Sequence, residues 1–119
     1  MIAIRGAITV KENTRVEILK STAELLQEIL ELNTLSQEDV IDIYFTATKD
    51  LTKVYPAVAA REIGLTECSL ICVQEMYVEG SLDMCIRALV HAKKPCCQKD
   101  AKHVYLGKAK ILRPDLSKT

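Results

Sequence analysis

Along this chain, segments whose apolar residues recur every second position alternate with segments whose apolar residues recur every third or fourth. That alternation limits the chain to a sheet with helices laid against it. Ile2 to Val10 has strand character, with Ile2, Ile4 and Ile8 on one side. Thr14-Arg15-Val16-Glu17 has the form of a capping box, in which the Thr hydroxyl and the Glu carboxylate each satisfy a free backbone N–H. Behind it, Leu19, Ala23, Leu26 and Leu30 predict the buried face of a helix ending near Asn33. Ser36 to Asp39 is a turn into Val40 to Ala47, where Ile41, Ile43 and Phe45 alternate with Asp42, Tyr44 and Thr46. A second helix is predicted from Pro56, suited to a first helical turn, to Gly64, suited to a C-terminal cap. Cys68 to Val73 reads as a central strand. Gly80-Ser81 opens a third helix running to about Lys93 and ended by Pro95. His103 to Leu112 reads as the last strand region, interrupted at Gly107.

The predicted order is strand, helix, strand, helix, strand, helix, strand, an α/β arrangement in one domain over residues 1–119. The polar residues 114–119 are expected to form a mobile tail. With 49% hydrophobic residues but only 4% aromatic and no Trp, the core must be aliphatic. Cys68 to Val73 is apolar on both faces and asks for cover on both, which so few helices do not supply. Self-association, with sheets from several subunits around a shared centre, follows as an expectation.

Formal net charge is zero, and the only adjacent Lys or Arg residues are Lys93-Lys94, so neither nucleic acid nor an anionic membrane is an expected partner. No apolar stretch has bilayer-spanning length, and Met1 to Gly6 enters strand pattern without a signal-like apolar region, so a cytoplasmic location is expected. Five cysteines (Cys68, Cys72, Cys85, Cys96, Cys97) contain no Cys-x-x-Cys pair and read as reduced, mostly apolar thiols. A metal site drawn from Cys96, Cys97 and His103 is disfavoured, and no metal or cofactor is expected. Phosphate-binding glycine loops, His-Glu-x-x-His and Gly-x-Ser-x-Gly are all missing.

Chemistry is then left to arginines, one carboxylate and a phenol. Arg15, in a polar first turn, reads as a solvated charge. Arg5, Arg61, Arg87 and Arg113 lie near element ends, and a planar guanidinium is suited to binding carboxylates through two parallel hydrogen bonds. On the predicted third helix the apolar stripe is Leu82, Cys85, Ile86, Leu89 and Val90, from which Arg87 projects roughly 130° away. It faces solvent or a neighbouring subunit. Glu75 follows the strand Cys68 to Val73, at the end where open α/β sheets bind ligands. Tyr105 offers a hydroxyl within the last strand. Taken singly, each of these side chains also fits an ordinary surface or sheet-edge position.

Seven segments in one order carry a resemblance: Ile4 to Val10, Ala47 to Leu51, Tyr55 to Ala57, Val73 to Met76, Cys85 to Arg87, His103 to Leu106 and Leu112 to Leu116. Together they resemble the trimeric α/β class of chorismate mutase over nearly the whole chain. The resemblance implies a homotrimer forming a pseudo α/β barrel, with active sites in clefts between subunits and chorismate rearranged to prephenate without cofactor or covalent intermediate. It implies catalytic roles for Arg87, at the breaking ether bond, and Glu75, at the substrate hydroxyl. Substrate binding falls to Arg5, Tyr105, Tyr55, Arg61, Ile71, Cys72, Val73, Gln74 and Arg113. Val58 stands where a basic residue is often found, and Ile71 where a small polar one occurs. The chain also reads one residue short near Gly64. Two alternatives stay beside this reading: a trimeric imine deaminase-like enzyme, and a trimer that binds a small ligand without catalysis.

Overall fold

The structure, a computed structural model, describes residues 1–112, so the predicted binding residue Arg113 and the predicted tail 114–119 lie outside it. In chain order its elements are β1 (Ile2–Thr9), α1 (Arg15–Leu32), β2 (Val40–Ala47), α2 (Ala57–Glu62), β3 (Ser69–Gln74), β4 (Cys85–Ala92) and β5 (Val104–Leu106). Short 3-10 turns occupy Gln37–Asp39, Gln98–Asp100 and Gly107–Ile111. The strands form one mixed sheet in the order β3-β2-β4-β1-β5. Here β4 runs antiparallel to both β1 and β2, while β3 and β5 lie parallel to β2 and β1 at the two edges.

The predicted third helix is a strand, and the most central one. Leu82, Cys85, Ile86, Leu89 and Val90 fit a helical stripe, but Ile86, Ala88, Val90 and Ala92 fit a strand face as well, and all four are buried. Short apolar runs carry both periods at once. Pairing decides between them, because β4 has an antiparallel partner on each side along most of its length. His91 accordingly sits on a strand. Conversely β3, expected at the centre, is an edge strand, and Ile71 and Val73 stay about half exposed. The last strand region also shortens to three residues before Gly107 turns the chain into a 3-10 helix.

Both α-helices lie on one face of the sheet. The buried face of α1 is Ile18, Thr22, Leu25, Leu26 and Ile29, so the expected stripe of Leu19, Ala23, Leu26 and Leu30 is rotated by about one residue. The Thr14 hydroxyl accepts from the Glu17 N–H at 3.1 Å, but Thr14's own N–H donates to the Glu12 carbonyl, so only half of the expected capping box forms. Gly6 lets α1 approach closely, since a Cβ there would come within 2.8 Å of Ile29 Cδ1 and 3.0 Å of Leu25 Cδ1. At the other end of α1, the buried Asn33 amide bridges the Ile29 carbonyl to both backbone groups of Lys102, which ties the helix to the approach to β5. Gly64, at φ +102°, ends α2 as expected. Ile2, Ile4, Ile8, Ile43, Phe45, Ile86 and Val90 meet the helices in an aliphatic core.

Candidate active site

The opposite face of the sheet carries no α-helix, and the register of its strands sets out the polar residues in rows. One row runs Val73, Thr46, Arg87, Ala7, Tyr105 from edge to edge. The next, one step along the same face, runs Ile71, Tyr44, Leu89, Arg5. Arg87 therefore does point away from its own core. The cause is strand alternation, with Ile86 and Ala88 facing the helices, and not the helical geometry that the stripe suggested.

Glu75 follows β3 and extends its ladder, its N–H donating to the Ala47 carbonyl at 2.9 Å. This brings the carboxylate beside the Arg87 row. Glu75 Oε1 is 3.5 Å from Arg87 Nε and accepts from the Thr46 hydroxyl. The loop after β2 is fastened to the start of β4 on the same side. Asp50 accepts from the Met84 N–H, and Thr48 accepts from the Cys85 N–H while donating to Asp50. Sequence reasoning passed over Thr46, Thr48 and Asp50, although Thr48 and Asp50 lie within a quoted segment. Three hydroxyl or carboxylate side chains in five residues at a strand exit are the signal that was there to find.

Arg5 is exposed, with its N–H donating to His103 Nδ1 at 2.9 Å. Tyr105 is buried, packed with Ala7, Cys85 and Ala109 in a small second cluster under Leu82 and Leu112. Burial pushes the Cys85 thiol up to about 11, although Arg87 draws it down. That thiol is a packing group at neutral pH.

Most of the remaining predicted residues gather elsewhere, Ile71 excepted. A cleft of about 690 Å³ at the carboxyl ends of β2 and β3 is lined by Tyr55, Val58, Cys72, Val73 and Gln74, with Arg15 also on its wall. Arg15 thus has a place beyond the solvated charge that the sequence suggested. Cys72 faces α2. Burial raises its thiol, while the Ala57 backbone and the nearby Arg61 draw it down. Val73 alone belongs to both sets. In one chain, then, Arg5, Glu75, Arg87 and Tyr105 lie on the helix-free face or its rim, and Tyr55, Arg61 and Cys72 lie on the side of α2. Among the described residues, no cluster of three His, Cys, Asp or Glu side chains is arranged to hold a metal ion. No described helix is long and apolar enough to cross a membrane.

Residues 1–116 match the family described as chorismate mutase type I. Chorismate mutase AroH of Bacillus subtilis is 45% identical over 117 residues, covering 98% of this chain and 92% of that protein. Chorismate mutase AroH of Thermus thermophilus is 46% identical over 114 residues, covering 95% and 93%. A solved chorismate mutase from Clostridium thermocellum superposes with a TM-score of 0.90 at 50% identity, over 92% of this chain and 97% of that one.

Proposed function

The chain belongs to the type I chorismate mutase family and is an isomerase that converts chorismate to prephenate, a step of aromatic amino acid biosynthesis; from that premise we propose that Arg87 and Glu75 carry the rearrangement in a cleft completed by a second copy of the chain. The observation that supports this reading most is the approach of Glu75, just beyond β3, to 3.5 Å from the Arg87 guanidinium in the row Val73, Thr46, Arg87, Ala7, Tyr105.

Chorismate rearranges by a pericyclic shift in which a carbon–oxygen bond breaks as a carbon–carbon bond forms. No proton has to move and no nucleophile has to attack. What the protein contributes is restriction of the flexible enolpyruvyl group to its compact reactive conformer, and stabilisation of the charge that develops on the ether oxygen. Arg87 donates to that oxygen. Its side chain is 47% exposed in a single chain, which keeps it open to a ligand. Glu75 accepts from the ring hydroxyl, and Arg5 and Tyr105 hold carboxylate and polar groups of the substrate. No cofactor or metal takes part in these steps.

Tyr55, Arg61, Cys72 and Gln74, with Arg113 beyond the described residues, form the complementary wall, and Ile71 and Val73 join it from the helix-free side of β3. Within one chain Tyr55, Arg61 and Cys72 lie on the other side of the sheet from Arg87. The separation supports a site shared between subunits, the α2 side of one facing the Arg87 row of the next, in the homotrimer that the family resemblance implies. Ile71, half exposed on the helix-free face, and Val58, on the cleft wall, are two of the three departures read from the family pattern, the third lying near Gly64. Five free cysteines are compatible with a reducing cytoplasm.

The test is loss of chorismate's ultraviolet absorbance with purified protein, with Arg87→Ala prepared in parallel from a host lacking its own mutase. The expected result is turnover by the parent and a fall in kcat of about 10²–10³ or more in the variant. Equal turnover in both would overturn the role of Arg87. No turnover in either, with the oligomer intact, would favour the non-catalytic binding trimer.

A further inference from the structure

We propose that Thr46 is a positioning residue for catalysis, its hydroxyl fixing one carboxylate oxygen of Glu75 so that the other is presented to the substrate. This rests on the reading of Glu75 given above. Thr46 stands near the carboxyl end of β2, flanked by Val73 of β3 and Arg87 of β4 in the same row. Its hydroxyl donates to Glu75 Oε1, the oxygen that also faces Arg87 Nε at 3.5 Å. Both contacts converge on Oε1. The Arg87 contact is made by Nε, which lies inward of the two terminal nitrogens of the guanidinium.

The ion pair by itself is poorly suited to hold the carboxylate. Arg87 is 47% exposed, and a pair at 3.5 Å with one member half in water constrains little. The guanidinium must also turn to the ether oxygen once the substrate is bound. Thr46 has neither weakness. It sits on a strand paired on both sides, and a β-branched side chain has few χ1 rotamers to choose from. The Glu75 N–H bond to the Ala47 carbonyl fixes the backbone next to it. Together these hold the carboxylate from both ends and leave the arginine free to move.

Thr46→Val keeps the shape of the side chain and its strand preference while removing the donor. Its kcat/KM is expected to fall roughly 10- to 100-fold, the range spanned by hydrogen bonds to charged groups. Thr46→Ser, which keeps the hydroxyl, is expected to stay within about threefold of the parent. In a Glu75→Gln background, Thr46→Val is expected to cost less than about twofold more, because the group it positions has lost its charge. Thermal unfolding and oligomeric state, measured on every variant, are expected to match the parent.

Parent-like activity of Thr46→Val would overturn the proposal, as would equal losses in the Val and Ser variants, which would mark a packing effect. An undiminished further loss in the Glu75→Gln background would place the hydroxyl's action elsewhere and overturn it too. If Thr46→Val does not fold, Thr46→Ala against Thr46→Ser makes the same comparison. Full activity of Glu75→Gln alone would overturn the role of Glu75 and this proposal with it. A crippled Glu75→Gln beside an active Thr46→Val would remove only Thr46.

Discussion

On the face of the sheet that carries α1 and α2, Ile2, Ile4, Ile43, Phe45, Ile86 and Val90 are each at most 1% exposed. On the other face Tyr44, Ile71 and Val73 are 47%, 50% and 47% exposed, beside a half-exposed Arg87. One face is finished by the chain itself. Outside the small cluster of Ala7, Cys85 and Tyr105, the other is an aliphatic and aromatic surface interrupted by Arg87 and Glu75, and a single chain leaves it open. The same strands supply both, one residue to each side in turn. The covered face decides whether the chain folds, and the open face holds Arg87 and Glu75, the pair proposed to act on the substrate.

Phe45 and Tyr44 are neighbours in β2 that test this division. Phe45→Ala removes a fully buried side chain and is expected to destabilise the chain by about 3–5 kcal/mol, read from denaturant unfolding. Tyr44→Ala is expected to leave the aliphatic core intact and to weaken association. Its unfolding midpoint would then depend more steeply on protein concentration than the parent's. A large loss from Tyr44→Ala that does not change with concentration would break the division between the faces.

How much of this was legible in the sequence follows the same line. The covered face was read well where one period dominates. β1, β2 and the ends of α1 and α2 fell close to their expected places because Ile4, Ile43 and Phe45 alternate cleanly, and Thr14 and Gly64 carry local chemistry. It failed at Cys85 to Ala92. A strand buried on its helix side and lined with Leu89 and Cys85 on the other is apolar at too many positions to show which period it keeps. Only the antiparallel partners on both sides decide it, and pairing at that distance leaves no local trace. The candidate residues came chiefly from the family resemblance. Composition and spacing alone reached anion binding by arginine and went no further. Thr46 escaped because a threonine in a strand needs no explanation, and its role emerges only when β3 places Glu75 beside it.

Thiol chemistry sharpens the comparison at a smaller scale. Cys85 lies toward the open face but is sealed under Leu82 and Leu112, and burial lifts it from an ordinary 9.0 to about 11. Only the thiolate reacts, so about one Cys85 in a thousand is reactive at pH 8, roughly a hundredfold fewer than for an ordinary thiol. Alkylation at Cys85 is expected to climb about tenfold per pH unit through 9 and 10, while the exposed Cys97 is modified first at every pH. The stability linkage has the same sign. The folded chain keeps the Cys85 proton where the unfolded chain has released it, so this contribution is complete below 9.0 and lost as pH rises towards 11. Mass spectrometry of the alkylated peptides reads the order. Rapid labelling of Cys85 at pH 8 would mean that the second cluster opens readily.

The smallest expected effect isolates the covered face from the chemistry. Thr14 caps α1 through its bond from the Glu17 N–H and touches neither the Arg87 row nor the cleft. Thr14→Ala is expected to cost about 1 kcal/mol of stability, the usual loss when a hydroxyl cap is removed. Thr14→Ser, which restores the acceptor, should recover most of it. Turnover per folded molecule is expected to stay at the parent's value in both, because α1 reaches the open face only through a sheet that remains paired. Of the cleft-lining residues only Arg15, the neighbour of Thr14, belongs to α1, and no part in the reaction is assigned to it. Were kcat to fall with stability in Thr14→Ala and return in Thr14→Ser, the two faces would be coupled through β1, where α1 lies against Gly6 and Arg5 is the next residue. Arg5 would then be the site residue whose position depends on helix packing.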